Sequence, residues 1–370
     1  SAEFLPASLL TPMAASLGVT EGMAGQAVTA TALVALVSGL LISAATKSID
    51  RRWVLMFFSV MQILSSLLVA FAPTLEVMLI GRLLLGVAIG GFWAMSTATA
   101  MRLVPTDKIP QALAIIFSSV SIATVVAAPL GSYLGSLIGW RNVFILCILP
   151  SVLALLWQMW VLPSMKPEHS GSLGTLFKVL RRPGMAGGML ATLLIFSGHF
   201  AFFTYLRPFL ETVGQVSVES ISLILLGFGL ANFLGTSIAG HLLARNLHLT
   251  LALVPLVMGA LALTMVAFGH LAVLDGVLVT LWGFAFGLVP VGWTTWLATT
   301  VPDEAESAGG LLVASIQFAI GAGAAGGGAV FDLSGANGVF TGSGLLLVTA
   351  MVIVFAAVRV TPTVDNSNPQ

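Results

Sequence analysis

Charged side chains are scarce in this sequence of 370 residues: Asp, Glu, Lys and Arg together make up 8% of it, against about 25% in an ordinary soluble domain. Hydrophobic residues make up 58%, so an ordinary soluble fold is excluded. A single cysteine, Cys147, rules out an internal disulfide. Basic and acidic residues number 14 each, and a net charge of zero gives no reason to expect nucleic acid. His-Glu-x-x-His, Gly-x-Ser-x-Gly and paired cysteines are all missing, which leaves no constellation for a membrane-embedded enzyme. No metal and no cofactor are expected. Missing too are the basic n-region and cleavage site of a secretory leader, and the alternating segments of about 10 residues that build a transmembrane barrel.

In their place, apolar runs of about 20 residues repeat from end to end, the length a helix needs to cross a hydrocarbon core of about 30 Å. Short polar clusters such as "KSIDRR", "PTDKIP" and "VPDEAE" separate them. The pattern predicts an all-α membrane protein with twelve transmembrane helices, over residues 1–16, 22–46, 51–73, 75–102, 109–138, 141–163, 184–212, 218–244, 249–270, 273–300, 306–333 and 338–361. The first run reaches only about 24 Å at 1.5 Å per residue, so residue 1 is expected to lie inside a helix whose first half precedes it.

The few basic residues are sorted. Lys47, Arg51, Arg52, Arg102, Lys108, Lys166, Lys178, Arg181, Arg182, Arg245 and Arg359 fall at one set of alternate loops, whereas Arg141 and Arg207 fall at or near the other. Eleven against two, with Arg82 inside a helix, predicts that the first set and both chain ends face the cytoplasm.

The longest polar stretch, residues 163–184, divides the spans six and six. It predicts an N-terminal six-helix bundle over 1–163, a cytoplasmic linker over 164–183 with a short surface helix at 173–180, a C-terminal bundle over 184–361 and a tail over 362–370. Internal similarity agrees. "GVAIGGFWAMSTATAMRLVP" at 86–105 lies over "GFAFGLVPVGWTTWLATTVP" at 283–302 with an offset of 197, and "GWRNVF" at 139–144 over "GANGVF" at 335–340 with an offset of 196. Six plus six helices in a parallel repeat place a substrate site between the halves near the bilayer midplane.

A charge at the bilayer centre costs about 2.5–3.5 kcal/mol on insertion scales, so it must face protein or water. Glu3, Arg82 and His199 are the principal candidates. Glu3 precedes Pro12 by nine residues and His199 precedes Pro208 by nine, which puts an acid and an imidazole at equivalent depths of spans 1 and 7. Both are expected to face a central cavity and at least one of them to bind the transported proton there, with Arg82 stabilising Glu3 or anchoring the substrate. A hydrogen bond within the fold for His199, and a static ion pair with Arg82 for Glu3, are the competing readings. Arg207 and Glu211, spaced i, i+4, read as a solvated or gate-closing pair rather than as substrate contacts. Phe92, Trp93, Phe200, Phe202, Phe203, Tyr205, Trp282, Phe286, Trp293 and Trp296 cluster on spans 4, 7 and 10. They read either as stacking surfaces for a planar substrate or as lipid-facing packing. The amides of Gln26, Asn232 and Gln317 can read a base edge or ribose hydroxyls, or tie helices together. "GAGAAG" at 321–326 matches a dinucleotide-binding pattern, but no strand precedes it, and its glycines suit close helix packing.

At this point the sequence resembles the major facilitator superfamily over essentially its whole length. "SAATKSIDRRWVL" is similar to that family's Gly-x-x-x-Asp-Arg-x-Gly-Arg-Arg loop, with Ser43, Lys47 and Asp50 in place of the usual residues and Arg51 and Arg52 retained. "GRLLLGVAIGG" resembles the Arg-x-x-x-Gly pattern of the drug:proton antiporter group, with Arg82 as its arginine. "AAPLGSYLG" resembles the antiporter Gly-Pro-x-x-Gly-Gly motif, with Pro129 and Gly131 in place. "EFLPASLLTPMA", "FAFFTYLRP" and "VPVGWTTW" look most like the bacterial purine ribonucleoside efflux permeases. Sugar-efflux permeases and multidrug exporters remain the alternatives. The resemblance implies a monomeric proton-coupled efflux antiporter in the bacterial inner membrane, working by alternating access. Its partners would be a small-molecule substrate, protons and the lipid bilayer. It further implies gating by Asp50, Arg51, Arg52, Pro129 and Gly131; the aromatics and amides read above supply the candidates for substrate contact, Gln26, Phe92, Trp93, Phe200, Phe203, Tyr205, Asn232, Trp293 and Gln317.

Overall fold

The computed structural model describes residues 3, 5–46, 48–104, 109–165, 178–269, 271–301 and 305–358. Of residues 43, 44, 97, 98, 100–102, 109–118, 120, 121, 124, 298 and 305–307 only the backbone is described. Lys47 and most of the expected surface helix at 173–180 lie outside this set; helix is seen at 178–180.

Among the described residues there is helix and no strand. The helices are α1 (Leu5–Ser8), α2 (Leu10–Leu17), α3 (Glu21–Ala45), α4 (Arg51–Ala70), α5 (Leu75–Leu103), α6 (Ile109–Ile138), α7 (Trp140–Leu146), α8 (Ile148–Val161), α9 (Met185–Thr204), α10 (Leu206–Thr212), α11 (Val218–Arg245), α12 (Leu247–Phe268), α13 (Ala272–Thr300) and α14 (Ala305–Ala357). They form twelve passes. α1 with α2 is the first, α7 with α8 the sixth and α9 with α10 the seventh, and α14 supplies the last two. Its 53 residues are broken at Gly335, whose φ of 68° and ψ of −169° no helix contains. Unbroken, they would reach roughly 80 Å, far more than a bilayer needs. Polar residues cap the passes: Thr20, Asp50, Ser217 and Asn246 each accept a bond from a backbone N–H in the first turn that follows.

Three of the expected single helices are broken in two, and proline explains each break. α1 ends at Ser8, α7 at Leu146 and α9 at Thr204, four residues before Pro12, Pro150 and Pro208. A proline has no N–H for the carbonyl four residues back and its ring crowds that carbonyl. The break residues Leu9 (φ −117°, ψ 11°) and Tyr205 (φ −104°, ψ 11°) lie 196 positions apart, so the repeat extends to backbone geometry. Gly139 and Gly335, also 196 apart, share a left-handed φ, 82° and 68°.

Packing repeats as well. A Cβ on Gly86 or Gly90 of α5 would run into the carbonyls of Thr31 and Ala35 on α3; one on Gly283 or Gly287 of α13 would run into those of Phe228 and Asn232 on α11. All four correspondences share one offset, 197. Glycine is required because backbone meets backbone there. α3 packs on α14 and α6 on α11, joining residues of the first six passes to the last six through two repeat-related pairs. α1 and α2 meet α9 and α10. Of Met185–Thr204, 67% is buried, against 17% of Trp140–Val161, so pass 7 is central and pass 6 faces lipid, with Trp157 and Trp160 exposed.

Candidate functional site

Arg82 is fully buried on α5. Its Nε donates to the Ala27 carbonyl on α3 at 3.0 Å, and an Nη donates to the backbone carbonyl of Glu3 at 2.7 Å. Thr31 donates back to the Arg82 carbonyl at 3.3 Å. The guanidinium therefore fastens the segment before α1 to passes 2 and 4, and its charge acts on the Glu3 carboxylate. Glu3 is half-buried in a turn. The planar fork of arginine suits two carbonyls on different elements better than a lysine would.

His199 is 2% exposed. Trp282 Nε1 on α13 donates to its Nδ1 at 3.0 Å, which makes Nδ1 an acceptor and the imidazole neutral, with its proton on Nε2. Phe286 stacks on the ring at a centroid distance of 3.3 Å, Phe203 lies parallel at 5.7 Å and Phe200 meets it edge-on at 4.9 Å. The ring is thus enclosed by aromatic side chains and does not open on a central cavity as expected. The other reading of the sequence, a hydrogen bond inside the fold, describes its place.

The remaining aromatics are mostly packed inside the molecule. Phe200, Phe203, Tyr205 and Trp293 are buried, and Trp293 meets Trp296 edge-on at 5.3 Å. Phe92 is 37% exposed, beside Trp93 at 5.6 Å. Tyr205 donates its hydroxyl to the Ala324 carbonyl at 3.2 Å and stacks on Phe331. That hydroxyl occupies the space where Gly25 and Gly328 lack a side chain, and Gln26 Nε2 lies close by. Asn232 donates to the Gly283 carbonyl at 3.3 Å, tying pass 8 to pass 10. Gln317 is 7% exposed and its Oε1 has no partner among the described residues, so it keeps an acceptor to offer.

At the basic end Asp50 caps α4 through the Arg52 N–H and accepts from the Ser164 hydroxyl and, at 2.9 Å, the Met165 N–H. The Ser164 and Met165 bonds, helped by Arg52, hold its carboxyl below its ordinary value. Arg51 donates to Thr46, and Arg52 to the Met159 carbonyl at 2.6 Å. The signature loop is therefore bound to the end of pass 6. Pro129 lies inside α6, and a Cβ on Gly131 would meet the Leu5 and Ser8 side chains, so this glycine lets pass 5 approach pass 1.

At the opposite end Arg207 pairs with Glu211 at 2.8 Å and reaches the Ser8 carbonyl at 2.6 Å and the Ser132 hydroxyl at 3.4 Å. Passes 1, 5 and 7 are thereby tied together. The Ser8 carbonyl is the one Pro12 cannot use, so the sequence held a signal for this contact that its pattern alone did not point to. Trp282 as the partner of His199, and Asp275, buried at this end, were likewise not singled out.

Two six-pass groups with equivalent helix breaks and equivalent glycine contacts, tied to each other by Arg207, have the form of a membrane transporter. The Major Facilitator Superfamily model matches residues 1–324. The chain belongs to the major facilitator superfamily. Within this superfamily it is 46% identical over 360 residues to the purine ribonucleoside efflux pump NepI of Salmonella enteritidis PT4, covering 97% of this chain and 91% of the relative. It is 47% identical over 361 residues, with the same coverage, to the NepI of Salmonella paratyphi B. The crystal structure of a D-xylose-proton symporter superposes with a TM-score of 0.77 over 96% of this chain and 94% of that one, at 15% identity. That likeness concerns the fold. The chain is a multi-pass membrane protein whose similar relatives are transporters.

Proposed function

We propose that this superfamily member exports purine ribonucleosides across the bacterial inner membrane in exchange for protons, by alternating access, with its basic loops and both chain ends in the cytoplasm. The observation that carries the substrate is identity of 46–47% across 97% of the chain to relatives named purine ribonucleoside efflux pumps. Residues 1–163 and 184–361 are taken as the two moving units, and 164–183 as their linker. Glu3 is the proton carrier and Arg82 its counter-charge: the guanidinium is held by carbonyls whatever the carboxyl does, so proton gain and loss at Glu3 leave the helix contacts standing. His199 is neutral in its cage, and its protonation belongs to a conformation in which Trp282 and Phe286 have moved away. Phe92, Trp93, Phe200, Phe203, Tyr205 and Trp293 supply planar surfaces, and Gln26, Asn232 and Gln317 the polar contacts. Asp50, Arg51 and Arg52 with Pro129 and Gly131 govern the movement, and Arg207 closes the far end.

Uptake of radiolabelled inosine into proteoliposomes with an acidic lumen tests the reading. Accumulation competed by guanosine, and not by arabinose or ethidium, is expected. Competition by arabinose or ethidium alone would transfer the protein to sugar or multidrug export.

A further inference from the structure

Asp275 stands in the first turn of α13, at the end opposite the basic loops. It is 0% exposed, and neither carboxylate oxygen has a hydrogen-bond partner among the described residues. Oδ2 faces Gly214 in the segment joining passes 7 and 8, where a Cβ would lie 2.9 Å from it. That segment is wrapped tightly around the site: Gly214 N–H donates to the Phe209 carbonyl at 3.2 Å and Val216 N–H to the Leu210 carbonyl at 2.9 Å. The charged groups around it offer no partner. On α10, Arg207 is engaged by Glu211, Ser8 and Ser132, and Glu211 is itself acidic. α11 brings Glu219 and α14 brings Asp332, both acidic; α12 brings no charged group at this end among the described residues, and His270 lies outside them. The start of a helix favours an anion, but by less than the burial of a carboxylate without partner disfavours it.

We propose that Asp275 is a second proton-binding site: a neutral carboxylic acid sealed beneath residues 213–217, which must lift to admit water when the proton leaves. A proton is the ligand that fits, because a Cβ on Gly214 would already crowd Oδ2 and the Leu210 carbonyl, leaving little room for a larger ion, while a neutral acid needs no counter-charge. The site lies at the other end of the molecule's passes from the basic loops, and it neither uses nor requires exchange at Glu3.

Infrared spectroscopy of the full chain in lipid reads the proton directly. At neutral pH the protonated-carboxyl C=O band should be present, and a component of it should vanish in both Asp275→Asn and Asp275→Leu. Hydrogen exchange at the Gly214 and Val216 amides should rise with pH beyond its intrinsic dependence in the wild type, and should lose that excess in Asp275→Asn. Glu3→Gln serves as the separate control and should leave the Asp275 component in place. Identical carboxyl bands in the wild type and both Asp275 variants would overturn the proposal, as would loop exchange that follows only its intrinsic pH dependence.

Discussion

A buried polar group is settled by what meets it. Trp282 donates to His199 at 3.0 Å in a setting with almost no access to water. Leaving a buried acceptor without a donor costs about 1–3 kcal/mol. Trp282→Phe should therefore lower unfolding stability by about that amount, as a fall in thermal midpoint in detergent. Adding His199→Phe should recover most of the loss, because the orphaned nitrogen is removed. Additive losses in this double-mutant cycle would deny the coupling. Arg82→Lys should also lower the midpoint, since an ammonium cannot reach both the Ala27 and Glu3 carbonyls with the planar fork that now does so. His199 shows how far sequence reaches at this scale. An imidazole in an apolar helix signals either a wet cavity or a hydrogen bond, and the choice lay in a contact across 83 residues, fixed by how passes 7 and 10 cross.

At the scale of the helix, proline and glycine carried most of the information. The twelve apolar runs were legible because the bilayer demands a length and an unbroken backbone ladder. The 197 offset was legible in glycines that turn out to face carbonyls, and the 196 offset in Gly139 and Gly335, which turn out to share a left-handed φ. The breaks at Leu9, Cys147 and Tyr205 were not anticipated, although Pro12 and Pro208 were in view, because proline does not always break a helix: Pro129 inside Ile109–Ile138 leaves a long one intact. Pro12→Ala should restore the helical bond to the Ser8 carbonyl and draw it from Arg207. A cysteine at position 132 should then be labelled faster by a membrane-impermeant maleimide; unchanged labelling would deny that the proline frees the carbonyl for the gate. Gly90→Val and Gly287→Val should both destabilise, as equivalent positions, and a loss confined to one would break the equivalence. At the basic end, the Asp50 carboxyl is held below its ordinary value by Ser164, Met165 and Arg52. A lowered folded-state pKa means that the latch is fully present above the ordinary carboxylate value and is lost as pH falls through the lowered one. Exchange at the Met165 amide should stay protected from pH 7 to about 4 and open only below that. Asp50→Asn should open it at neutral pH.

Over the whole molecule, the ties at the two ends differ. Arg207 holds passes 1, 5 and 7 together at one end, while the continuous contacts between the groups are α3 with α14 and α6 with α11. Those two helix pairs are related by the repeat, and in the proposed alternating access they would serve as the hinge. Movement about it would break the Arg207 ties and leave the flanking pairs in contact. The most direct test of the central claim is proton-driven inosine uptake in proteoliposomes, with the wild type and Glu3→Gln compared across an imposed pH gradient. The wild type should accumulate inosine while the acidic lumen alkalinises, and Glu3→Gln should exchange inosine for inosine yet ignore the gradient. Gradient-driven accumulation undiminished in Glu3→Gln would contradict the account.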